Sequence, residues 1–236
     1  RNGSPVPARA VEFAWDGTAW TEAATLVNPV DEPQAGFGAA VHLDGERLIV
    51  GAPMRLGAWQ VEGSASIFRR QGGEWVVEHT LTHPSGERSF GAAVSIHGTT
   101  SVVGADGDDV DAFDVGGAFI FERVSDQWTA AMTLRPELLV EGVRFATDLA
   151  LSGDVLLVGA SGDTVDAIPS VGTAYLYRRV GGTWSIVDRL ARDQGFDAFD
   201  SFGAGVALAD EVALIGAPGV RAVSYTHLRA HETSEN

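Results

Sequence analysis

The chain has 236 residues, no cysteine, 45% apolar content and a formal net charge of −16. That length can bury a sizeable core, the missing cysteines exclude disulfides and thiol chemistry, and no apolar run reaches the roughly 18 residues of a membrane-spanning helix. All 16 basic residues are arginine and face 32 acidic ones, a balance that repels nucleic acid and anionic membranes.

Taken in chain order, Arg1 to Pro7 holds no apolar leader core, and Asn2-Gly3-Ser4 fits an N-glycosylation acceptor at a ragged end. From Phe37 to Leu43 small and apolar residues predict a strand, which ends at Asp44-Gly45, read as a two-residue hairpin turn. A strand returns through Leu48, Ile49 and Val50 and stops at Gly51-Ala52-Pro53, because proline cannot continue a central ladder. A third strand runs from Gly63 to Phe68. The fourth places Trp75, Val77, His79 and Leu81 on one face by strict alternation, the mark of a half-exposed outer strand.

The same order repeats. Later turns are expected at His97-Gly98, Gly153-Asp154 and Asp210-Glu211, followed by return strands at Val102-Val103, Val155 to Val158 and Val212 to Ile215. These return runs are apolar without alternation, which implies burial on both faces. Third strands follow at 117–121 and 172–177. Fourth strands place Trp128, Ala130, Met132 and Leu134 on one face, and Trp184, Ile186, Asp188 and Leu190 on another.

One phrase therefore occurs four times: Phe37-Gly38, Phe90-Gly91, Phe145-Ala146 and Phe202-Gly203 precede Gly51, Gly104, Gly159 and Gly216 by 14 residues each. The phrases recur every 53, 55 and 57 residues, and Trp20, Trp75, Trp128 and Trp184 keep the same beat. A period near 50 residues marks an array of units, none of which buries its apolar face alone. Four antiparallel strands per unit, stacked radially, make a β-propeller.

These phrases, with the Gly-led third strand and the Trp strand after them, resemble FG-GAP repeats, the units of the α-integrin type β-propeller and of many bacterial surface and secreted proteins. The likeness covers residues 8 to 220. It implies an all-β propeller, usually of seven blades, and hence a fragment. Complete blades are expected at 36–81, 89–134 and 144–190. Residues 1–35 then supply the last strands of a preceding blade and a linker, and 201–220 the first strands of a truncated one. At the end, Val223 to Thr233 leaves the pattern and resembles a translated sequencing-library adapter. Residues 223–236, with His227 and His231, are therefore set apart as an artefactual tail, and the natural chain is expected to continue past Val220.

Calcium-binding members of this family carry an Asp-x-Asp-x-Asp-Gly loop between the first two strands. Here that connection is a tight hairpin in every copy, and Asp44 alone cannot supply six to eight oxygens. Carboxylates gather one loop later, at Asp106, Asp108, Asp109, Asp111 and Asp114, and Asp163 and Asp166 sit in the matching loop of the next repeat. The first group reads either as a cation site, calcium included, or as a solvated acidic loop. The loop at 54–62 has one carboxylate, so the cluster is not a device of every repeat.

No Gly-x-Ser-x-Gly elbow, His-Glu-x-x-His pair or phosphate-binding glycine loop occurs. His42, His79, His83 and His97 are scattered and read as structural or surface residues. Asp193, Asp197 and Asp200 suggest paired carboxylates, but their small neighbours suggest a loop. The tryptophans, at one place in each repeat, read as packing anchors rather than sugar platforms. No catalytic residue and no cofactor is assigned. Two functions remain: a non-catalytic extracellular or cell-surface module that binds a protein or glycan through its loops, without nucleic acid or membrane insertion, and the propeller of a secreted carbohydrate-active or other enzyme whose catalytic residues lie elsewhere.

Overall fold

The structure, a computed structural model, describes residues 8–30, 36–53, 63–83, 89–109, 112–192, 195, 197–209 and 212–219. The tail at 223–236, the turn at Asp210-Glu211 and the glycosylation tripeptide lie outside them. The described elements are all strands: β1 (Arg9–Trp15), β2 (Trp20–Val27), β3 (Ala40–Asp44), β4 (Arg47–Ala52), β5 (Ser64–Gln71), β6 (Glu74–Thr82), β7 (Ala93–His97) and β8 (Thr100–Ala105). They continue as β9 (Gly117–Val124), β10 (Gln127–Leu134), β11 (Phe145–Ser152), β12 (Val155–Ala160), β13 (Thr173–Val180), β14 (Thr183–Leu190), β15 (Gly205–Ala209) and β16 (Val212–Gly216). Strands β3–β6, β7–β10 and β11–β14 each form a four-stranded antiparallel sheet in sequence order, flanked by the separate hairpins β1–β2 and β15–β16. The all-β, four-stranded antiparallel architecture expected from the sequence is present.

Three junctions between neighbouring sheets each hold a core. Leu26, Phe37, Val50 and Phe68 fill the first; Ile49, Ile67, Phe90, Val103, Phe119 and Trp128 fill the second; Val102, Ile120, Phe145, Leu156, Tyr175 and Trp184 fill the third. Val102 and Val103 face opposite junctions, so a return strand needs apolar residues at every position. Strands β4, β8 and β12 follow that expectation. The hairpin β15–β16 departs from it: Val212 and Leu214 are exposed, and no further sheet among the described residues covers them.

The strict alternation read in the Trp strands is broken by a bulge. In β6, His79 pairs with Ile67 and Val77 with Phe68, which leaves Glu78 as the extra residue. Ala23, Ala131 and Val187 are the extra residues at the equivalent places. An inserted residue reverses which face later side chains occupy. Trp75 therefore packs on the first core while Leu81 enters the second, and Trp128 enters the second while Leu134 enters the third. The four residues assigned to one face in each strand are thus divided between two.

The hairpin turns lie one residue later than the sequence suggested in two cases. Asp44 pairs with Arg47 and His97 with Thr100, so the turns are Gly45-Glu46 and Gly98-Thr99, while Gly153-Asp154 falls where expected. The glycine takes the first turn position each time, at φ of 56–58°, where a left-handed backbone is needed. Asp44 is thereby freed to accept the Gly98 N–H at 2.6 Å from the neighbouring sheet.

First strands of adjacent sheets are tied by side chains. Ile96 N–H donates to His42 Nδ1 at 3.2 Å, Leu151 N–H to Ser95 Oγ at 3.1 Å, and Val206 N–H to Asp148 Oδ2 at 2.7 Å. Burial, above all, holds His42 below the usual histidine range, which keeps the ring neutral and able to accept.

Candidate binding face

Strand direction places the connections. The 1–2 and 3–4 links lie at one end of each four-stranded sheet and are two-residue turns; the 2–3 and 4–1 links lie at the other end and are long. The long links are knitted together. Arg144 N–H donates to Asp114 O and Phe145 N–H to Val115 O, both at 2.9 Å, and one repeat later Ser201 N–H donates to Ser170 O at 3.1 Å and Phe202 N–H to Val171 O at 2.8 Å. These two 2–3 links thus run beside the chain entering the next sheet. Left-handed residues recur at matching places, Ser89, Arg144 and Ser201 in one set and Asp114 and Ser170 in another. Because they recur, their strain belongs to the architecture rather than to one site.

The acidic loop is divided among several tasks. Asp108 is fully buried and faces Arg135 Nη1 at 2.5 Å and His83 Nε2 at 3.5 Å. Arg135 also donates to Gly116 O at 2.9 Å and lies over the Phe119 ring, while His83 sits edge-on to Phe90 and Phe119. Burial raises the Asp108 pKa, but His83 and Arg135 outweigh it and hold the carboxyl below the usual 3.8. Asp106 pairs with Arg144 at 2.7 Å, and Asp109 Oδ1 accepts the Asp114 N–H at 2.9 Å. Asp111 lies outside the described residues. Among the described residues, no group of three or more potential metal-ligating side chains converges.

Asp163 holds the position of Asp108 one repeat on. It accepts from Thr173 Oγ1 at 2.6 Å, Tyr175 Oη at 2.9 Å and Arg189 Nη2 at 2.8 Å. Burial, together with the Asp163 charge, pushes the Tyr175 hydroxyl up to about 12, so it remains a donor. Both aspartates close the phrase Gly-Ala-x-Gly-Asp, at 104–108 and 159–163. That second repeated phrase marks them as clamps of the 2–3 link, and it was readable in the sequence. Asp166 makes a left-handed turn at φ 50°. Asp200 is buried against Arg192 at 2.9 Å and accepts the Asp197 N–H; Asp193 is outside the described residues.

A pH series tests the Asp108 clamp. A depressed folded pKa contributes stability above about 3.8 that is lost as pH falls through the folded value. The Asp108→Asn variant is expected to be less stable than the parent at neutral pH, with the gap closing below pH 4 in urea unfolding. A gap that stays constant to pH 2.5 contradicts the clamp.

The outer strands carry another recurring set. Glu78 accepts from Arg47 Nε at 2.9 Å in its own sheet, and from Arg123 Nε at 2.9 Å and Trp128 Nε1 at 3.4 Å in the next. Glu12 likewise accepts from Arg70 and from Trp75 Nε1. At the third junction Ala131 occupies the place of Glu78. There Glu122 takes the arginine, Arg179, at 2.7 Å, the Trp184 Nε1 is buried without an acceptor, and a groove of about 460 Å³ opens between the strands.

The described long links also expose apolar side chains. Phe113, Leu138, Leu139 and Val140 are exposed on neighbouring links, and Phe199 on a further one. A three-residue turn, in which Val140 N–H donates to Leu138 O at 3.0 Å, presents the leucines outward; Gly142 N–H joins Phe113 O at 2.9 Å. The sequence reading missed this group, because three apolar residues without periodicity look like any buried segment.

No helix among the described residues is long and apolar enough to cross a membrane. No curated protein matches the chain. Residues 75–121 match the model of the FG-GAP repeat family, a span that takes in β6 and the first three strands of the next sheet. Over that span the chain is an FG-GAP repeat.

Proposed function

We propose that this chain is part of a β-propeller that serves outside the cell, or on its surface, as a non-catalytic binding or adhesion module. The blades in this reading are 36–81, 89–134 and 144–190, with partial blades on either side. Support for radial stacking comes from the first strands of adjacent sheets, which pack closely, while the outer strands touch far less. The observation that carries the binding role is the asymmetry between the two ends of the sheets. In the four-stranded sheets one end is closed by two-residue turns, and the other carries the described long links, which expose Phe113, Leu138, Leu139, Val140 and Phe199. Packing within the sheets does not require that difference, whereas ligand recognition through loops on a rigid scaffold does.

The test is an array of extracellular-matrix proteins and glycans probed with the chain and two variants. One variant carries polar replacements on the long links; the other carries them at the hairpin turns. Binding lost only in the first supports the reading. Binding sensitive only to the hairpin turns, or absent on every surface, overturns it.

A further inference from the structure

We infer that the groove at the third junction binds a small neutral molecule that bears a carboxamide on a short aliphatic stem. The groove lies between the outer strands of two sheets, β9–β10 on one side and β13–β14 on the other. It is built from these strands and not from the long links, so the inference goes beyond the proposed binding role and does not rest on it.

The chain's own repeats show what is missing there. Trp75 Nε1 donates to Glu12 Oε2 at 2.9 Å, and Trp128 Nε1 to Glu78 Oε2 at 3.4 Å. Trp184 holds the same place at the third junction, where it is 5% exposed and its Nε1 is buried with no acceptor among the described residues. A buried donor left in that state is costly, and native structures seldom keep one without a reason. Glu78 is the bulge residue of its strand, and Ala131 is the bulge residue one repeat on. The Trp128 pattern therefore directs the Trp184 N–H toward Ala131, whose methyl group leaves open the space that a glutamate side chain fills at the second junction. Ala131 and Trp184 both line the groove, and its volume of about 460 Å³ is that of a small-molecule site.

What the site lacks is an acceptor rather than a charge. At the second junction Arg47 and Arg123 converge on the single Glu78, each at 2.9 Å; at the third, Glu122 and Asp154 converge on the single Arg179, each at 2.7 Å. Arg179 is thus already compensated, and an added carboxylate would meet the like charge of Glu122. An ammonium group brings no acceptor for the indole. The polar groups on the groove wall include one unpaired donor, Trp184 Nε1, and the Glu122 carboxylate, whose lone pairs exceed the bonds it takes from Arg179 and Thr100. A carboxamide answers both: its carbonyl accepts from the indole and its NH₂ donates to Glu122. Val124 and Met132 complete an apolar lining for the stem.

Indole N–H spectra of the full chain, labelled with nitrogen-15 at its six tryptophans, test this with three probes of one shape: 4-methylpentanamide, 4-methylpentanoate and 4-methylpentylamine. The amide is expected to move the Trp184 signal saturably, with a Kd on the order of 1 mM for so small a molecule. The carboxylate should bind about tenfold more weakly or worse, and the amine should leave the signal in place. Trp184→Phe assigns the signal and should abolish amide binding. Ala131→Gln supplies the carboxamide from the chain itself: it should move the Trp184 signal with no probe present and block the amide. Position 131 is exposed, so this variant keeps the test decisive if Trp184→Phe fails to fold, and the signal is then the one that Ala131→Gln moves.

Any of four results overturns the inference. The carboxylate binds as tightly as the amide; the amide binds Ala131→Gln as it binds the parent; Ala131→Gln moves no indole signal; or the amide moves none in the parent, as when a water alone serves the indole. Each of these leaves the binding role of the long links untouched, because the array variants there do not alter the groove.

Discussion

Replacing Phe90 with alanine is expected to lower the unfolding free energy by about 3–5 kcal/mol. The ring is completely buried in the second junction, edge-on to Phe119 at 5.5 Å and Phe121 at 6.2 Å, with the His83 ring at 5.7 Å. Phe119 and Phe121 belong to the sheet whose first strand, β7, follows Phe90, and Ile67 and Leu81 of the preceding sheet line the same core. Truncation therefore leaves a cavity walled by two sheets, neither of which can close on it without breaking its ladder. Urea unfolding followed by tryptophan fluorescence measures the effect. A loss below about 1 kcal/mol would show that the junction repacks and that the recurring aromatic is not its keystone.

A still larger loss, above about 4 kcal/mol, is expected for Gly116→Ala, because two separate penalties coincide there. Its φ is +83°, and an added Cβ would lie about 2.6 Å from Phe145 N and 2.9 Å from Phe145 C, backbone atoms that cannot swing aside. Gly98 is the control. It also has a positive φ, +58°, but open space where the Cβ would go, so Gly98→Ala should cost only the left-handed penalty of about 1–2 kcal/mol. Thermal unfolding of the two variants separates steric collision from backbone strain. Equal losses would mean that the sheets can slide apart by the width of a methyl group.

That pair of glycines also shows why the fold was legible in the sequence. The Phe-Gly and Gly-Ala phrases stand 14 residues apart because Gly38, Gly91 and Gly203 donate to Gly51, Gly104 and Gly216 across one hairpin, at 2.9–3.0 Å. Closeness to the next sheet then forbids a side chain at Gly51 and Gly159, where Gly91 O and Gly203 O fill the space. A demand made by backbone geometry leaves a residue identity behind, and four copies make it visible. Ala146 is the departure: it takes φ +66° where the other three copies have glycine, a strained placement that the sequence showed only as a spelling change.

The bulges left no such trace. An extra residue in a strand can be glutamate, alanine or valine, so composition did not show that Glu78, Ala131 and Val187 break the alternation. The candidate site was legible in location but not in meaning. The run from Asp106 to Asp114 was found, yet whether a carboxylate is a ligand or a clamp depends on its partner. For Asp108 the partners His83 and Arg135 lie 25 and 27 positions away in the chain. Only the repeat of Gly-Ala-x-Gly-Asp could have hinted at the answer. The exposed turn at Leu138–Val140 was silent, since nothing in a short apolar run says which way it faces.

The bulge after each tryptophan bears on how the molecule keeps from sticking to itself. Strands β2, β6, β10 and β14 are the rims of their sheets, where free N–H and C=O groups would template another chain. An extra residue three places after Trp20, Trp75, Trp128 and Trp184 breaks the regular spacing of those groups and increases the local twist. A foreign strand laid along such a rim stays in register for only about half its length. Growth is thereby steered away from fibre-like addition at the rim and toward the stacking direction, in which these units are built to meet.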